Sequence, residues 1–322
     1  MEPVNDRSPN SEDSPRGTEF DLIRWIRSRV GASANVTVGI GDDCAGLRLP
    51  DGQTLLVTTD MLIAGIHYRP EDASPRQVGH KAIARAVSDI AAMAGQPIAV
   101  VAAMAAPRGS PSEFHREVFT GMQSAADALG VRIVGGDISV GDLPLTLTIT
   151  VIGTCAPGAV VCRSGAQPGD RVVVTGSLGG SLLGRHLDFL PRVKEALWLR
   201  EAASLHSMID VSDGLAADAG HLAEESGVAI ELWEDAIPVS EDAKRAAQSS
   251  GRSPLDHALH DGEDYELLFA LNAADAAQLI QRSDAPVALT CIGEVASGSG
   301  LYLRKRGEER RPLEPRGWVH EF

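Results

Sequence analysis

Apolar residues along the chain recur with two periods, and most elements follow from where each pattern starts and stops. Phe20, Ile23 and Ile26 fall at helical spacing, which predicts a helix beginning near Thr18. Short apolar runs predict strands at Asn35–Ile40 and Thr54–Thr59, each running straight into acidic residues. Val78, Ile83, Val87 and Ile90 place a helix over Arg76–Met93, and Ile98–Ala105 reads as a buried strand. Pro111–Ser112 and Gly130 bracket a helix over Ser112–Leu129. Strands at Val131–Val134 and Leu145–Ile152 follow. The order β-β-α-β-α-β-β predicts a mixed domain whose sheet is covered by helices on one face.

A Pro- and Gly-rich stretch, Cys155–Asp170, reads as an interdomain connection. Arg171–Thr175 then begins the second half as a strand, followed by Gly-Ser-Leu-Gly-Gly-Ser and a helix. A strand–loop–helix unit covers Ile209–Ser226, with Gly227 as its stop. Val228–Leu232, Leu267–Leu271, Val287–Ile292 and Leu301–Leu303 complete a second mixed domain. Residues 1–17 contain three prolines and almost nothing to bury, which predicts a mobile tail. The expected organisation is a tail over 1–17 and two α/β (α+β) domains over 18–154 and 155–322. No repeat of short period is visible.

Composition narrows the function classes. Among 322 residues, 29 basic against 44 acidic side chains leave a formal charge of −15. So acidic a chain repels a phosphate backbone, which disfavours nucleic acid and suits the collection of divalent cations. The longest nearly pure apolar run, Ile98–Ala106, is too short to span a bilayer, and no secretory signal follows Met1. Cys44, Cys155, Cys162 and Cys291 are dispersed without a CxxC pair, which predicts reduced thiols and a cytoplasmic protein.

Candidate chemistry lies in a recurring theme: acids beside glycine or a hydroxyl residue, after a strand or at a helix end. Its instances are Gly39-Ile40-Gly41-Asp42-Asp43, Thr58-Thr59-Asp60, Ser88-Asp89, Gly135-Gly136-Asp137 and Asp210-Val211-Ser212-Asp213-Gly214. Any one of them reads as ordinary turn and cap chemistry. Asp89 fits that description poorly, because it lies late in a helical pattern. Asp42–Asp43 also fits poorly, because two carboxylates about 4 Å apart repel by about 4 kcal/mol at an effective dielectric near 20. Taken together the set reads as a Mg²⁺ site, and Mg²⁺ held by a few carboxylates implies a phosphate-bearing substrate. Zinc is disfavoured by the scattered cysteines, the lack of HExxH, and the absence of partners at ligand spacing for His257 and His260, which read as surface or loop residues. Gly179–His186 approaches a P-loop but carries Arg185 and His186 where Lys and Ser/Thr do the chemistry. Its glycines suit either an anion-binding turn or a close strand–helix junction.

These motifs occur in an order that resembles the thiamine-monophosphate kinase family, within the superfamily of aminoimidazole ribonucleotide synthetase-like ATP-dependent enzymes. The resemblance rests on Gly39–Asp43, Thr58–Leu62 with Gly65–Tyr68, Ser88–Met93, Gly135–Asp137, Arg163–Ala166, Asp210–Leu215, Gly262–Leu267 and Gly317–His320. It implies ATP-dependent phosphorylation of thiamine monophosphate to thiamine diphosphate. It also implies a homodimer in which the N-terminal sheets join into a β-barrel, and a C-terminal α/β sandwich. By the same resemblance Asp43, Thr58, Thr59, Asp60, Asp89, Asp137, Asp210 and Asp213 would hold several Mg²⁺ ions. Gly136, Asp137, Arg163 and Ser212 would contact ATP, with Asp60, Asp137 and Arg163 at the catalytic centre. His67, Glu263 and Trp318 would touch thiamine monophosphate.

The residues suit that chemistry. The acceptor is an already anionic phosphate oxygen, so positioning and charge neutralisation suffice without a strong general base. Glu263 and the face of Trp318 are reasonable neighbours for a cationic thiazolium. Trp318 also reads as a C-terminal anchor, and His67 as a loop histidine. The chain departs from the family at Asp261, where Gly is usual, at Ile138 and Val140, where Thr and a basic residue are common, at Gln167 for Lys, and at Ala94 before Gly95. Two alternatives stand beside the kinase: another synthetase of the superfamily, and a nucleotide- and Mg²⁺-binding module without turnover.

Overall fold

The computed structural model describes residues 19–31 and 33–318. The expected tail, Thr18, the side chain of Phe20 and His320 lie outside the described residues. Helix α1 (Glu19–Arg29) belongs to a unit of its own, with Glu19 and Asp21 in its first turn and Arg27 and Arg29 in its last. That charge order complements the helix dipole.

The second unit, residues 32–318, contains two sheets. The first half supplies β1 (Val36–Val38), β2 (Ala45–Arg48), β3 (Thr54–Ile63), α2 (Pro75–Ala92), β4 (Gln96–Pro107), α3 (Ser112–Ala128), β5 (Arg132–Gly141) and β6 (Thr146–Cys155). Its strands lie in the order β1-β2-β3-β6-β4-β5, and only β4–β5 is parallel. The second half supplies β7 (Arg171–Thr175), α4 (Val193–Ala202), β8 (Leu205–Asp210), α5 (Leu215–Ser226), β9 (Ala229–Trp233), α6 (Glu241–Ser250), α7 (Pro254–His260), β10 (Leu267–Leu271), α8 (Ala273–Ile280), β11 (Leu289–Ala296), β12 (Gly300–Arg304) and β13 (Arg311–Pro312). Their order is β13-β12-β9-β11-β7-β10-β8, with β9–β12 the parallel pair.

The central strands of the second sheet bury both faces, which explains their unbroken apolar sequences. Val173, Phe269 and Met208 face one core, shared with α2. Val172, Val174, Leu268 and Ile209 face another, shared with α5. The first sheet buries one face only. Leu147, Ile149 and Val151 of β6 pack under α2, while Thr146, Thr148 and Thr150 alternate with them in less buried positions.

Helix α2 is the element between the sheets, packing on β3 and β6 and also on β8 and α4. It starts at a full capping box: Ser74 accepts from Gln77 N–H, Gln77 returns a bond to Ser74 N–H, and Pro75 occupies the first turn. It also crosses α3 at glycine. A Cβ on Gly79 would lie 2.0 Å from Val118 O, and one on Gly121 would lie 2.0 Å from Arg76 O. After α2, Ala94 takes φ +54°, a left-handed backbone that costs Ala about 1 kcal/mol and that suits the Gly expected here from the family resemblance.

Several expectations need correction. A strand over Ala45–Arg48 was not expected, nor were α6, α7 and α8. Asp60 and Gly135-Gly136-Asp137 do not follow strands but lie inside β3 and β5. The glycine-rich turn after β7 leads into two 3₁₀ turns, with a helix only at Val193. Among the described residues the first sheet is open within the single chain, with β1 and β5 as its edges. Among the described residues no helix is long and apolar enough to cross a membrane.

The glycine crossing sets an expected outcome. Gly79→Ala should lower stability by about 1–3 kcal/mol, the range for overpacking a filled contact. Thermal unfolding measures it, and an unchanged midpoint would contradict so close a crossing.

Candidate active site

Four segments converge where α2 meets β8. The loop before β2 brings Asp42 and Asp43, β3 brings Thr58 and Asp60, the last turns of α2 bring Ser88 and Asp89, and the end of β8 brings Asp210. Carboxylate oxygens of Asp43, Asp89 and Asp210 all lie within 4.8 Å of one another. Each has its own support. Thr58 Oγ1 donates to Asp89 Oδ2 (2.5 Å), Ser88 Oγ donates to Asp210 Oδ2 (2.5 Å), and Arg163 Nη2 donates to Asp43 Oδ1 (2.5 Å). Asp42 accepts the backbone N–H of Arg163, pinning that arginine to the acidic loop.

The site carries more negative charge than its neighbours neutralise. Burial, then Asp210, Asp60 and Asp43, push the Asp89 carboxyl well above the carboxylate range. Burial and Asp43 raise Asp210 to about 7, against the pull of Ser88 and Arg163. Asp43 Oδ2 is buried with no hydrogen-bond partner. A buried carboxylate oxygen left unpaired among like charges is the donor set of a hard divalent cation, so the residues fit Mg²⁺.

A second cluster adjoins the first. The turn Gly262–Glu266 runs antiparallel to the loop after β8, with Glu263 N–H donating to Ser212 O (2.7 Å) and Tyr265 N–H to Val211 O (2.8 Å). Glu263 and Tyr265 have φ of +58° and +51°, a strained backbone that this pairing maintains. Burial raises the Glu263 carboxyl, but Lys81 and Arg85 together pull it below its ordinary value. Arg85 Nε donates to Asp60 Oδ2 (2.5 Å) and so links the two clusters. Trp318 is 53% exposed, and its backbone N–H donates to Asp213 O (3.2 Å). His67 Nδ1 accepts from Ile63 N–H (3.0 Å).

Other expected residues stand apart from the carboxylate triad. Thr59 points to the opposite face of β3 from Thr58 and meets Thr150 at 3.1 Å. Asp137 is exposed on β5, two strands beyond β3's neighbour, and accepts from Ser139. Gly136 has a structural reason to be glycine, because a Cβ would lie 1.8 Å from Ala102 O of β4. Ser212 meets the Glu263 turn through its carbonyl.

The glycine-rich turn after β7 is already filled. Gly179 N–H donates to Asp264 Oδ2 (2.8 Å) and Gly180 N–H to Asp261 Oδ2 (3.1 Å). Asp261 is also held by Arg252 and His257, so the charge that departs from the family pattern is spent inside the fold. His257 and His260 sit on α7, and His257 is buried rather than a surface residue. Lys81, Arg85 and His186 went unread in the sequence as site residues. For Lys81 and Arg85 the one signal was position: with Ser88 and Asp89 they share a helical face otherwise rich in Ala and Val, whereas His186, in a 3₁₀ turn, carried none.

Family models match most of the chain: AIR synthase related protein, N-terminal domain, over residues 41–155, and its C-terminal domain over 186–306. The thiamine-monophosphate kinase of Rhodopirellula baltica is 38% identical over 309 residues, 94% of this chain and 97% of that protein. The chain belongs to the thiamine-monophosphate kinase family. The kinase of Escherichia coli K12 is 35% identical, covering 94% and 98%. Among solved structures, AaThiL complexed with AMPPCP and TMP matches with a TM-score of 0.82, 30% identity, and 94% and 97% coverage. As a member of this family, the chain has its acidic cluster split between the two family domains, with Asp43 and Asp89 in the first and Asp210 in the second.

The raised Asp210 acid gives the ligand-free protein a pH signature. Between pH 4 and 7 the folded chain keeps a proton that the unfolded chain has released, so stability from this group falls as pH rises. Asp210→Asn should therefore melt higher than wild type at pH 8, with the gap narrowing toward pH 5. A gap that widens on acidification would contradict the buried, crowded carboxyl.

Proposed function

We propose that this chain transfers the γ-phosphoryl group of ATP to the phosphate of thiamine monophosphate, releasing thiamine diphosphate and ADP. The observation that carries the reading is the carboxylate triad Asp43–Asp89–Asp210, drawn from both family domains and left short of positive charge. The relatives' names and the AaThiL complex with AMPPCP and TMP support the substrates.

In this reading Asp43, Asp89 and Asp210 hold Mg²⁺ with Thr58 and Ser88 orienting them, and Asp60 and Asp213 extend the set. Bound there, the ions would neutralise charge between two phosphate chains that otherwise repel. Arg163 lies beside Asp43 and is assigned to ATP, with Ser212 and the β5 residues Gly136 and Asp137; Thr59 and Asp137 belong to the metal set through the family resemblance. His67, Glu263 and Trp318 take thiamine monophosphate, Glu263 as an ionised carboxylate beside the thiazolium. The acceptor oxygen is anionic at neutral pH, so alignment replaces proton abstraction.

Residues 18–154 serve as the metal, ATP and dimerisation domain and 155–322 as the substrate and nucleotide domain. The homodimer forms along the β5 edge, whose Val134, Ile138 and Val140 are 63%, 71% and 58% exposed on a strand paired on one side only, with β4. Joining two such open sheets would complete a barrel and cover Ile138 and Val140. The four free cysteines agree with a reducing, cytoplasmic setting.

Incubation with Mg-ATP and thiamine monophosphate should yield equal amounts of thiamine diphosphate and ADP. Asp89→Asn should cut turnover by roughly a hundredfold or more while the ligand-free melting point holds or rises. Normal turnover in that variant would end the metal assignment. For the assembly, sedimentation should find a dimer in wild type and a monomer in Ile138→Lys; a wild-type monomer removes the β5 interface.

A further inference from the structure

Lys81 is 0% exposed, in the middle of α2, among Ala82, Ile83 and Ala84. A buried ammonium needs a partner for each of its three protons. Lys81 Nζ lies 2.7 Å from His67 O, 2.7 Å from His186 Nδ1 and 2.7 Å from Glu263 Oε2. Burial and the neighbouring Lys81 lower His186 to about 4, so its ring is neutral at pH 7 and Nδ1 accepts. The three acceptors saturate the ammonium.

Those acceptors come from three separate segments: the turn after β3, the 3₁₀ turn before α4 and the turn before β10. Two of them belong to His67 and Glu263. The Glu263 backbone is strained, and its Oε2 also takes the Tyr265 hydroxyl at 3.2 Å. Removing Lys81 would free the His67 carbonyl and unfasten Glu263 at the same stroke.

We infer that Lys81 is a positioning residue for thiamine monophosphate, fixing the Glu263 carboxylate and the His67 turn through one buried ammonium. It acts on the substrate through these neighbours and leaves the nucleotide side alone, because Asp43, Arg163 and the triad make no bond to it. The inference rests on the kinase reading, in which Glu263 and His67 face that substrate.

Steady-state kinetics on the full chain test it. Lys81→Met should raise KM for thiamine monophosphate roughly tenfold or more, the size of one lost charged hydrogen bond, and leave KM for ATP within about twofold. In a Glu263→Gln background the same substitution should add less than about twofold to that KM, because the path through Glu263 is already cut. Removing both charges also avoids a buried carboxylate without its cation, so the double variant should fold even where Lys81→Met alone does not. Lys81→Arg, which keeps the charge but displaces the donors, should show the same split between substrates in a folded protein. Equal rises in both KM values, full additivity in the cycle, or failure of every Lys81 variant to fold would overturn the inference. Wild type that forms no thiamine diphosphate ends the kinase reading itself; wild-type turnover without the split ends only the role of Lys81.

Discussion

The polar stripe of α2 is the constraint on which the rest depends. Lys81, Arg85, Ser88 and Asp89 lie at i, i+4, i+7 and i+8, so all project from one face of a helix that is otherwise packed in an apolar core. Their partners, Glu263, Asp60, Asp210 and Thr58 respectively, lie on three segments, with Asp60 and Thr58 both on β3. Buried polar groups left unpaired are expensive, so this one helix fixes the relative placement of β3, β8 and the turn before β10. The capping box and the glycine crossing with α3 then hold the helix itself in register.

That arrangement accumulates charge of one sign at one end. Toward the N-terminus of the stripe, Lys81 and Arg85 balance Glu263 and Asp60. Toward its C-terminus, Asp89 meets Asp43 and Asp210 with Arg163 as the near cation, and the carboxyls are driven up in response. The ligand-free fold thus carries an electrostatic penalty that a divalent cation relieves, which is the physical link between the stability of this site and its chemistry. Asp218 adds to the same field from α5, where its carboxylate accepts the N–H groups of Asp213 and Gly214 and so shapes the loop after β8.

The glycine-rich turn after β7 illustrates how one local pattern allows two outcomes. Its N–H groups are free to take an anion as far as the local sequence goes. The fold gives them Asp264 and Asp261 instead, with Arg185, Arg252 and His257 closing the charge balance. The substitution of Asp for Gly at 261 is therefore absorbed by internal bonds and adds no free charge to the site.

Periodicity along the chain was enough to locate α2, α3, β3, β4, β6, β7 and β10, because burial on one or both faces leaves a direct imprint on which residues are apolar. It also exposed the acids in their glycine and hydroxyl contexts, since close approach and metal binding restrict residue type locally. Short helices such as α6, which buries only Ala243, and α8, which buries only Ala276 and Leu279, have too few buried apolar positions to mark them out, and the extension of β5 through Gly135-Gly136-Asp137 is likewise unmarked. Which acids meet was decided by tertiary structure alone. Asp43, Asp89 and Asp210 are far apart in sequence and join through helix and strand packing, whereas Thr59 is turned away from Thr58 by the two-residue period of β3. Lys81 was illegible for the same reason: a lysine in a helix reads as solvated until the fold surrounds it with three acceptors from distant segments.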